Sequence, residues 1–289
     1  MTAEKIALVT DSTCDASDEE LAALGVECVH LVVHRADGTA FPLDNTEENI
    51  LDFYDYLDEC DELPTTSQPT PVEFADMYSK LALEGYTHVL SVHISSRMSG
   101  TSNTARMAAQ SAPIDVEVVD SRANTVSLYL MVERLAKLRD SGLNFKQLVA
   151  AAHDLVGKVS VCFMLDSLKN LVKGGRVGKA VGLGASVLRV KPLLTVDSEG
   201  EVGMIGMAKN MKRAVPKLVD VARELTDKFG ELEICFVHVR QSEGLEMLKQ
   251  AFAESGIRFK DVGTRMTGPV ITTHVGTGCV GFAYIPVEA

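Results

Sequence analysis

Short apolar runs alternate with amphipathic segments along the first half of the chain. Apolar runs bounded by turn residues predict strands, and apolar residues spaced three or four apart predict helices. The predicted strands of this half are 6–9, 26–33, 87–94 and 116–119, joined by helices near 17, 50–57, 72–85, 104–110, 125–140 and 144–156 and by a loop at 63–71. This alternation predicts a parallel sheet covered by helices.

The second half has a different pattern, in which several strands follow one another directly. Its predicted strands are 159–164, 193–196, 202–207, 232–238, 258–262 and 278–285, with helices at 213–229 and 243–255. The segment 197–200 (Asp-Ser-Glu-Gly) lies between two strands and predicts a hairpin. We therefore expect an α/β protein of two domains, residues 1–158 with a parallel sheet and residues 159–289 with a mixed or antiparallel sheet.

Composition narrows the class of protein. A chain of 289 residues with 46% hydrophobic residues can bury one large or two moderate cores. We expect no signal peptide, because Met1 to Lys5 leads directly into a strand-like run, and no apolar stretch has the length of a membrane span. The six cysteines are widely scattered, which predicts reduced thiols in a cytoplasmic protein.

Charge is unevenly distributed along the chain. The net charge of −12 argues against nucleic acid as a partner. The segment 158–217 nevertheless carries eleven Lys or Arg and four acids, whereas 36–62 carries ten acids and no base. We expect the acidic segment to be solvated surface and the basic segment to be a docking face for a protein or a phosphorylated group.

Hydroxyl groups are concentrated at one predicted strand-to-helix junction, the segment 95–101 (Ser-Ser-Arg-Met-Ser-Gly-Thr), called here the serine turn. Free amides at a helix start and the positive end of the helix dipole favour a carboxylate or phosphate oxygen. Capping of the helix by Ser99 or Thr101 would explain the same residues equally well. Two further strand ends, 10–12 (Thr-Asp-Ser) and 119–121 (Val-Asp-Ser), are predicted at the same sheet edge, although each could also be a helix cap.

Two other patterns are weaker evidence for a functional site. His30 and His34 lie four apart in an extended run, but no third ligand with suitable spacing is evident, so we expect a surface or interface strand and no metal site. The segment 182–186 (Gly-Leu-Gly-Ala-Ser) lacks the full glycine fingerprint of a dinucleotide loop. We therefore expect no cofactor.

Seven segments together resemble the DegV family of bacterial lipid-binding proteins. They occur in the family's order and span nearly the whole chain. The segments are 9–13 (Val-Thr-Asp-Ser-Thr), 66–69 (Thr-Ser-Gln-Pro), 94–101 (Ile followed by the serine turn), 119–121, 174–177 (Gly-Gly-Arg-Val), 190–194 (Val-Lys-Pro-Leu-Leu) and 274–276 (His-Val-Gly).

The resemblance implies a protein that encloses one long-chain fatty acid between two domains. Members of the family act as the acyl-carrying subunit of bacterial fatty acid kinase, and a separate ATP-dependent kinase makes acyl phosphate. The resemblance therefore implies no catalytic residue in this chain and is compatible with transient contact with a membrane surface. Thr66 and Ser95 match hydroxyls that contact the carboxylate, Ser96 is adjacent, His274 matches a histidine near the head group, and Arg176 is expected near the pocket mouth.

Two alternative functions remain open. The first is a serine hydrolase acting on acyl esters, with Ser95 or Ser96 as nucleophile and His274 as base. The chain lacks a nucleophile elbow of the Gly-x-Ser-x-Gly kind around these serines. The second is a carrier of another amphipathic anion, such as a phospholipid or polyprenyl compound. The preferred acyl chain and the oligomeric state are not predicted.

Overall fold

A computed structural model describes residues 4–179 and 190–287. In chain order the elements of the first half are β1 (Ile6–Asp11), α1 (Asp18–Ala23), β2 (Val26–Val29), β3 (Val32–His34), α2 (Glu47–Glu59), β4 (Thr65–Ser67), α3 (Pro71–Leu83), β5 (His88–His93), α4 (Thr101–Ala109), β6 (Asp115–Asp120), α5 (Thr125–Asp140) and α6 (Phe145–Leu155). Strands β2, β1, β5 and β6 form a parallel sheet in that order. The prediction of a parallel sheet covered by helices is confirmed.

The second half forms a six-stranded sheet. Its elements are β7 (Ser160–Met164), α7 (Lys169–Lys173), β8 (Lys191–Val196), β9 (Val202–Ala208), α8 (Met211–Phe229), β10 (Leu232–His238), α9 (Ser242–Glu254), β11 (Phe259–Met266), α10 (Pro269–Val275) and β12 (Val280–Pro286). The strand order is β11-β10-β12-β7-β8-β9. Only β10 and β11 pair in parallel, and the predicted hairpin joins β8 to β9, so the predicted mixed sheet is confirmed.

The two sheets share one hydrophobic core. Helix α5 packs on β1 of the first sheet and on β7 and β12 of the second. A single cluster of buried residues therefore includes Leu90 and Val92 on β5 together with Val161 and Phe163 on β7. A cavity in this core is walled by both halves of the chain. The division into domains at residue 158 stays a prediction.

The acidic segment is not only solvated surface, which corrects the expectation from charge alone. It contains α2, which buries one apolar side against the second half of the molecule. Tyr54 on that side donates from its hydroxyl to the Thr267 carbonyl at 2.7 Å. On the exposed side Asp55 pairs with Arg240, and Asp58 accepts from Thr277. The acids of α2 therefore help to join the two halves.

Two local predictions were wrong, and two helices were not predicted. The predicted strand 26–33 is two strands, because the chain turns at Leu31, whose amide donates to Ser12 Oγ at 2.9 Å. The predicted loop 63–71 contains β4, which pairs antiparallel with β3. Helices α7 and α10 were not predicted. No helix in the described part of the chain combines the length and apolarity needed to cross a membrane.

Candidate functional site

A cavity of about 300 Å³ lies where the two halves meet. This volume is in the range of small-molecule binding sites. Its apolar lining consists of Leu31, Ile94, Met98, Phe163, Leu171, Val202, Val270, Ile271 and Val275, and its polar lining of Thr66, Ser67, Gln68, Ser99, Asn124, Arg176 and His274. Among these described lining residues, Arg176 is the one that carries a fixed charge.

Two further spaces give the cavity distinct ends. A second space of about 300 Å³ shares Thr66, Arg176 and His274 with it and is also lined by Lys173. We call this side the polar end. A space of about 20 Å³ shares Asn124, Phe163, Ile271 and Val275 with the cavity and is further lined by Thr125, Val161, Val237, Thr267 and Cys279. This mostly apolar side is called the apolar end.

The polar end is built around a contact between the two halves. Thr66 on β4 places its Oγ1 2.9 Å from Nε2 of His274, the penultimate residue of α10. Burial and the nearby Arg176 charge lower the pKa of His274 to about 4, so the ring is neutral around pH 7. Its Nδ1 is buried and has no hydrogen-bond partner among the described residues. A Cβ on Gly174 would lie 2.3 Å from this Nδ1, so a glycine is needed there to leave room for the ring.

Arg176 joins the two halves at the same end. Its Nη1 donates to the Gly174 carbonyl at 2.6 Å, and its Nε donates to the Met98 carbonyl in the serine turn at 3.3 Å. The side chain is exposed, yet it lines the cavity. A cation is therefore held at the polar end while remaining accessible from outside.

The serine turn leads into α4, and Ser99 is the hydroxyl residue of the turn that lines the cavity. Its Oγ lies 2.8 Å from Thr101 Oγ1. Gly100 is the N-cap residue, and in the described structure no side chain caps the helix. Capping by Ser99 or Thr101 is therefore not the role of these residues. The open amides and the positive end of the α4 dipole favour an anion beside Ser99.

Gln68 is held against the start of α4. Its Nε2 donates to Thr104 Oγ1 at 2.6 Å, and a Cβ on Gly100 would lie 2.3 Å from its Oε1. Gln68 therefore depends on the glycine of the serine turn for its position in the cavity wall. Gln68 and Ser99 lie in two of the segments that resemble the family, but neither was predicted as a site residue.

Ser95 and Ser96 have other partners. Ser95 is fully buried, donates from Oγ to the Gly200 carbonyl at 2.7 Å and accepts from the Arg97 amide at 3.2 Å. The Ser96 amide donates to Asp120 Oδ1 at 3.1 Å. Neither serine is among the described lining residues of the cavity. Their contact with a carboxylate stays a prediction, and the geometry favours Ser99 for that role.

The two Asp-Ser strand ends support the serine turn and the cavity wall by accepting hydrogen bonds from backbone amides. Asp11 Oδ2 accepts from the Ile94 amide at 2.9 Å, and Asp120 Oδ1 accepts from the Ser96 amide. Both carboxylates therefore fix the backbone that enters the serine turn. Ser12 Oγ accepts from the amide of Leu31, which lines the cavity.

One serine, histidine and aspartate do stand in the order of a catalytic triad. Ser91 Oγ lies 2.7 Å from His93 Nε2, and His93 Nδ1 lies 3.0 Å from Asp11 Oδ2. All three side chains are fully buried, and Ser91 Oγ also bonds the buried Tyr78 hydroxyl at 2.9 Å. A substrate cannot reach this serine, so the network is structural. The hydroxyl beside His274 belongs to Thr66, and the geometry therefore gives the hydrolase alternative no support.

The remaining candidates from the sequence are His30, His34 and the segment 182–186. His34 Nε2 lies 2.9 Å from Ser67 Oγ, whereas His30 Nε2 lies 3.1 Å from Asp18 Oδ1. The two histidines therefore do not share a site. The segment 182–186 lies outside the described residues.

Comparison with known proteins relates this architecture to one family. A family model described as "Uncharacterised protein, DegV family" matches residues 5–287. A DegV domain-containing protein of Deinococcus radiodurans is 36% identical over 284 residues, which cover 98% of this chain and 99% of the relative.

Solved structures show the same fold over the full length. A protein of Thermus thermophilus, described as a fatty acid binding DegV family protein, is 32% identical, has a TM-score of 0.88, and is matched over 98% of this chain and 100% of its own. A Thermotoga maritima protein described as having a fatty acid binding function is 27% identical with a TM-score of 0.86, matched over 99% and 100%. A stearic acid-binding protein of Eubacterium ventriosum is 25% identical with a TM-score of 0.86, matched over 98% of both chains.

Proposed function

This chain belongs to the DegV family, and we propose that it binds one long-chain fatty acid with the carboxylate at the polar end of its cavity. The observation that carries the proposal is the asymmetry of that cavity. The cations Arg176 and Lys173 and the hydroxyl of Thr66 belong to one side, Ser99 lines the cavity, and a mostly apolar wall forms the other side. An amphipathic anion matches both ends at once.

The head group is positioned by hydrogen bonds. A neutral His274 that donates from Nε2 to Thr66 Oγ1 leaves the Thr66 hydroxyl hydrogen free for the carboxylate. Ser99 Oγ and the open amides of α4 supply further donors. Each hydrogen bond to a charged group contributes about 1.5–3 kcal/mol. These contacts set the register of the ligand.

The tail supplies most of the affinity. About fourteen buried methylenes at about 0.8 kcal/mol each contribute on the order of 11 kcal/mol before the costs of ordering and association. The apolar end is lined by Val161, Val237 and Ile271, which offer no competing charge. The wall thus favours a hydrocarbon chain over a polar one.

We further propose that the bound acid is the substrate of a separate ATP-dependent kinase. A carboxylate oxygen attacks the γ-phosphorus of ATP, the bond to the bridging oxygen breaks, and acyl phosphate and ADP form. Hydroxyl and amide donors leave the carboxylate nucleophilic, because Arg176, the one arginine among the described lining residues, already donates from Nε and Nη1 to backbone carbonyls. Lys173 and Arg176 at the open polar end belong to the basic segment 158–217, which supplies a docking face for the anionic partner site. The role of the whole chain is then that of a cytoplasmic acyl carrier.

Native mass spectrometry tests the ligand class directly. Protein purified from cells should carry one species with the mass of a long-chain fatty acid. Thr66→Val should weaken palmitate binding by about tenfold or more, because one hydrogen bond to the carboxylate is lost. Thr264→Val, at an exposed position of β11, is the matched control and should bind normally. A co-purified phospholipid or polyprenyl mass would instead support the other carrier function.

The kinase step has its own test. Protein loaded with palmitate, ATP and the organism's candidate kinase should yield hydroxylamine-trappable acyl phosphate, and neither protein alone should do so. Normal palmitate binding without acyl phosphate would refute the partnership and leave the binding function intact. Turnover of an activated acyl ester by this protein alone would favour the hydrolase alternative.

A further inference from the structure

A second group of chemically reactive side chains lies at the edge of the first sheet, outside the fatty acid cavity. Asp18 is the first residue of α1, Cys28 is on the edge strand β2, and His30 directly follows that strand. One carboxylate oxygen, the thiol sulfur and one imidazole nitrogen all lie within 4.8 Å of one another. A space of about 350 Å³ adjoins them and gives access from solvent.

The hydrogen bonding of His30 fixes which ring nitrogen faces this group. Nδ1 lies 3.0 Å from the Leu43 carbonyl oxygen, which can only accept, so Nδ1 carries a hydrogen. In the neutral ring Nε2 then has a lone pair, and it lies 3.1 Å from Asp18 Oδ1. Two acceptors at this distance need a proton or a metal cation between them. A backbone carbonyl that orients the ring in this way is typical of histidine ligands.

The surroundings of Cys28 are also suited to a cation. Its sulfur lies within 4.8 Å of a carboxylate oxygen of Asp18. Asp44 adds to the negative potential and accepts from the Asp18 amide at 2.8 Å. A positive ion in this place would be stabilised by these acids and would remove the energetic cost of a thiolate.

We propose that Asp18, Cys28 and His30 bind one divalent transition metal ion, with zinc as the best match. Thiolate, imidazole and carboxylate are the ligand types of zinc, and a water would complete a tetrahedron. Metal–ligand distances of about 2.0–2.3 Å require only small side-chain rotations from the observed spacing. On binding, the Cys28 S–H bond breaks, a sulfur–metal bond forms and one proton goes to solvent.

The ion would join three pieces of the chain that the fold already brings together. It would tie the start of α1 to β2 and to the turn before β3. Leu31, the residue after His30, lines the fatty acid cavity. The metal would therefore hold a segment of the cavity wall without contacting the ligand.

Cobalt provides the test, because Co²⁺ bound by a thiolate has an intense near-ultraviolet charge-transfer absorption. Full-length protein freed of metal by dialysis against a chelator is titrated with Co²⁺ alone and then with Zn²⁺. The expected result is one Co²⁺ per chain with a charge-transfer band that Zn²⁺ removes. Cys28→Ser should abolish the band, and His30→Gln and Asp18→Asn should weaken binding by at least about tenfold.

Two matched variants separate this site from unspecific binding. His34→Gln and Cys60→Ser change the same residue types outside the cluster and should leave the titration unchanged. The proposal is overturned if the band is missing in the wild type, persists in Cys28→Ser or is lost equally in Cys60→Ser. If Cys28→Ser fails to fold, unchanged Co²⁺ affinity in both His30→Gln and Asp18→Asn overturns it.

Discussion

Each end of the cavity has a titratable group whose charged form is disfavoured by burial, and burial shifts the two pKa values in opposite directions. At the polar end, burial and Arg176 lower the pKa of His274 to about 4. Behind the apolar end, burial raises the pKa of Asp15 to about 7. Desolvation disfavours the charged form of either group. Among the described residues, Arg176 and Lys173 at the polar end are therefore the charges that an incoming ligand meets, so the direction of an anionic ligand is set at one end.

The largest expected effect concerns the apolar end. Asp15 Oδ2 accepts from Thr125, which lines that end, while the buried Oδ1 has no partner among the described residues. The unfolded Asp15 loses its proton near pH 3.8 and the folded one near pH 7, so wild-type stability falls as the pH rises through this window. Asp15→Asn lacks this loss and should be up to about 4 kcal/mol more stable than the wild type at pH 8.

Urea unfolding of ligand-free protein at pH 5 and pH 8 measures the difference. The exposed Asp76→Asn on α3 serves as control and should show no such gain. If the advantage of Asp15→Asn were the same at both pH values, the carboxyl would not be held protonated by burial.

The next effect concerns which end receives the tail. Ile271 lines the cavity and its apolar end, so Ile271→Phe should exclude about four methylenes. This costs palmitate about 3 kcal/mol, on the order of a hundredfold in Kd, while the shorter laurate should lose much less. Calorimetric titration of both acids measures this. Ile205→Phe, on the exposed side of β9, is the control. Equal losses for the two acids would place the carboxylate at this end and reverse the proposed orientation.

A smaller effect of opposite sign is expected at the polar end. The unfolded His274 gains a proton below about pH 6.5 and the folded one only below about pH 4, so stability falls as the pH drops through this window. The loss should reach about 2 kcal/mol, because one pKa unit corresponds to about 1.4 kcal/mol and the ring is partly exposed. His274→Gln removes this pH dependence in denaturant unfolding of ligand-free protein, and the exposed His153→Gln does not. If the stability of His274→Gln fell with decreasing pH as much as that of the wild type, this prediction would be wrong.

The smallest effect separates Ser95 from the head-group residues. Ser95→Ala removes the hydrogen bond to Gly200 and should cost about 1 kcal/mol of stability. Palmitate affinity should change by less than about twofold, because the Ser95 side chain is buried behind the wall. Parallel unfolding and binding measurements, with Ser96→Ala as the neighbouring control, check both expectations. A tenfold loss of affinity would restore the role that sequence analysis gave to Ser95.

Local sequence patterns predicted the strands and helices whose conformation depends mainly on neighbouring residues in the chain. The runs at β1, β5 and β6 are short and apolar, so their parallel sheet followed from alternation with helices. Helix α10 escaped prediction because Pro-Val-Ile-Thr-Thr-His-Val is rich in β-branched residues, which favour strands; packing decides its conformation.

The site was less predictable than the fold. Thr66 and His274 are 208 residues apart, and only the resemblance to a family placed them together. Within the serine turn, sequence could not show which hydroxyl faces the cavity. The carbonyl that accepts from Ser95 lies at Gly200, in a hairpin more than a hundred residues away.

Gly174 and His274 form a sterically coupled pair. The missing Cβ of the glycine is the space that the imidazole occupies, since the two would be 2.3 Å apart. A lineage that acquires any side chain at 174 must therefore also replace or displace the histidine at 274. In related sequences, positions 174 and 274 should change together, and the glycine should be replaced only where the histidine has also been replaced.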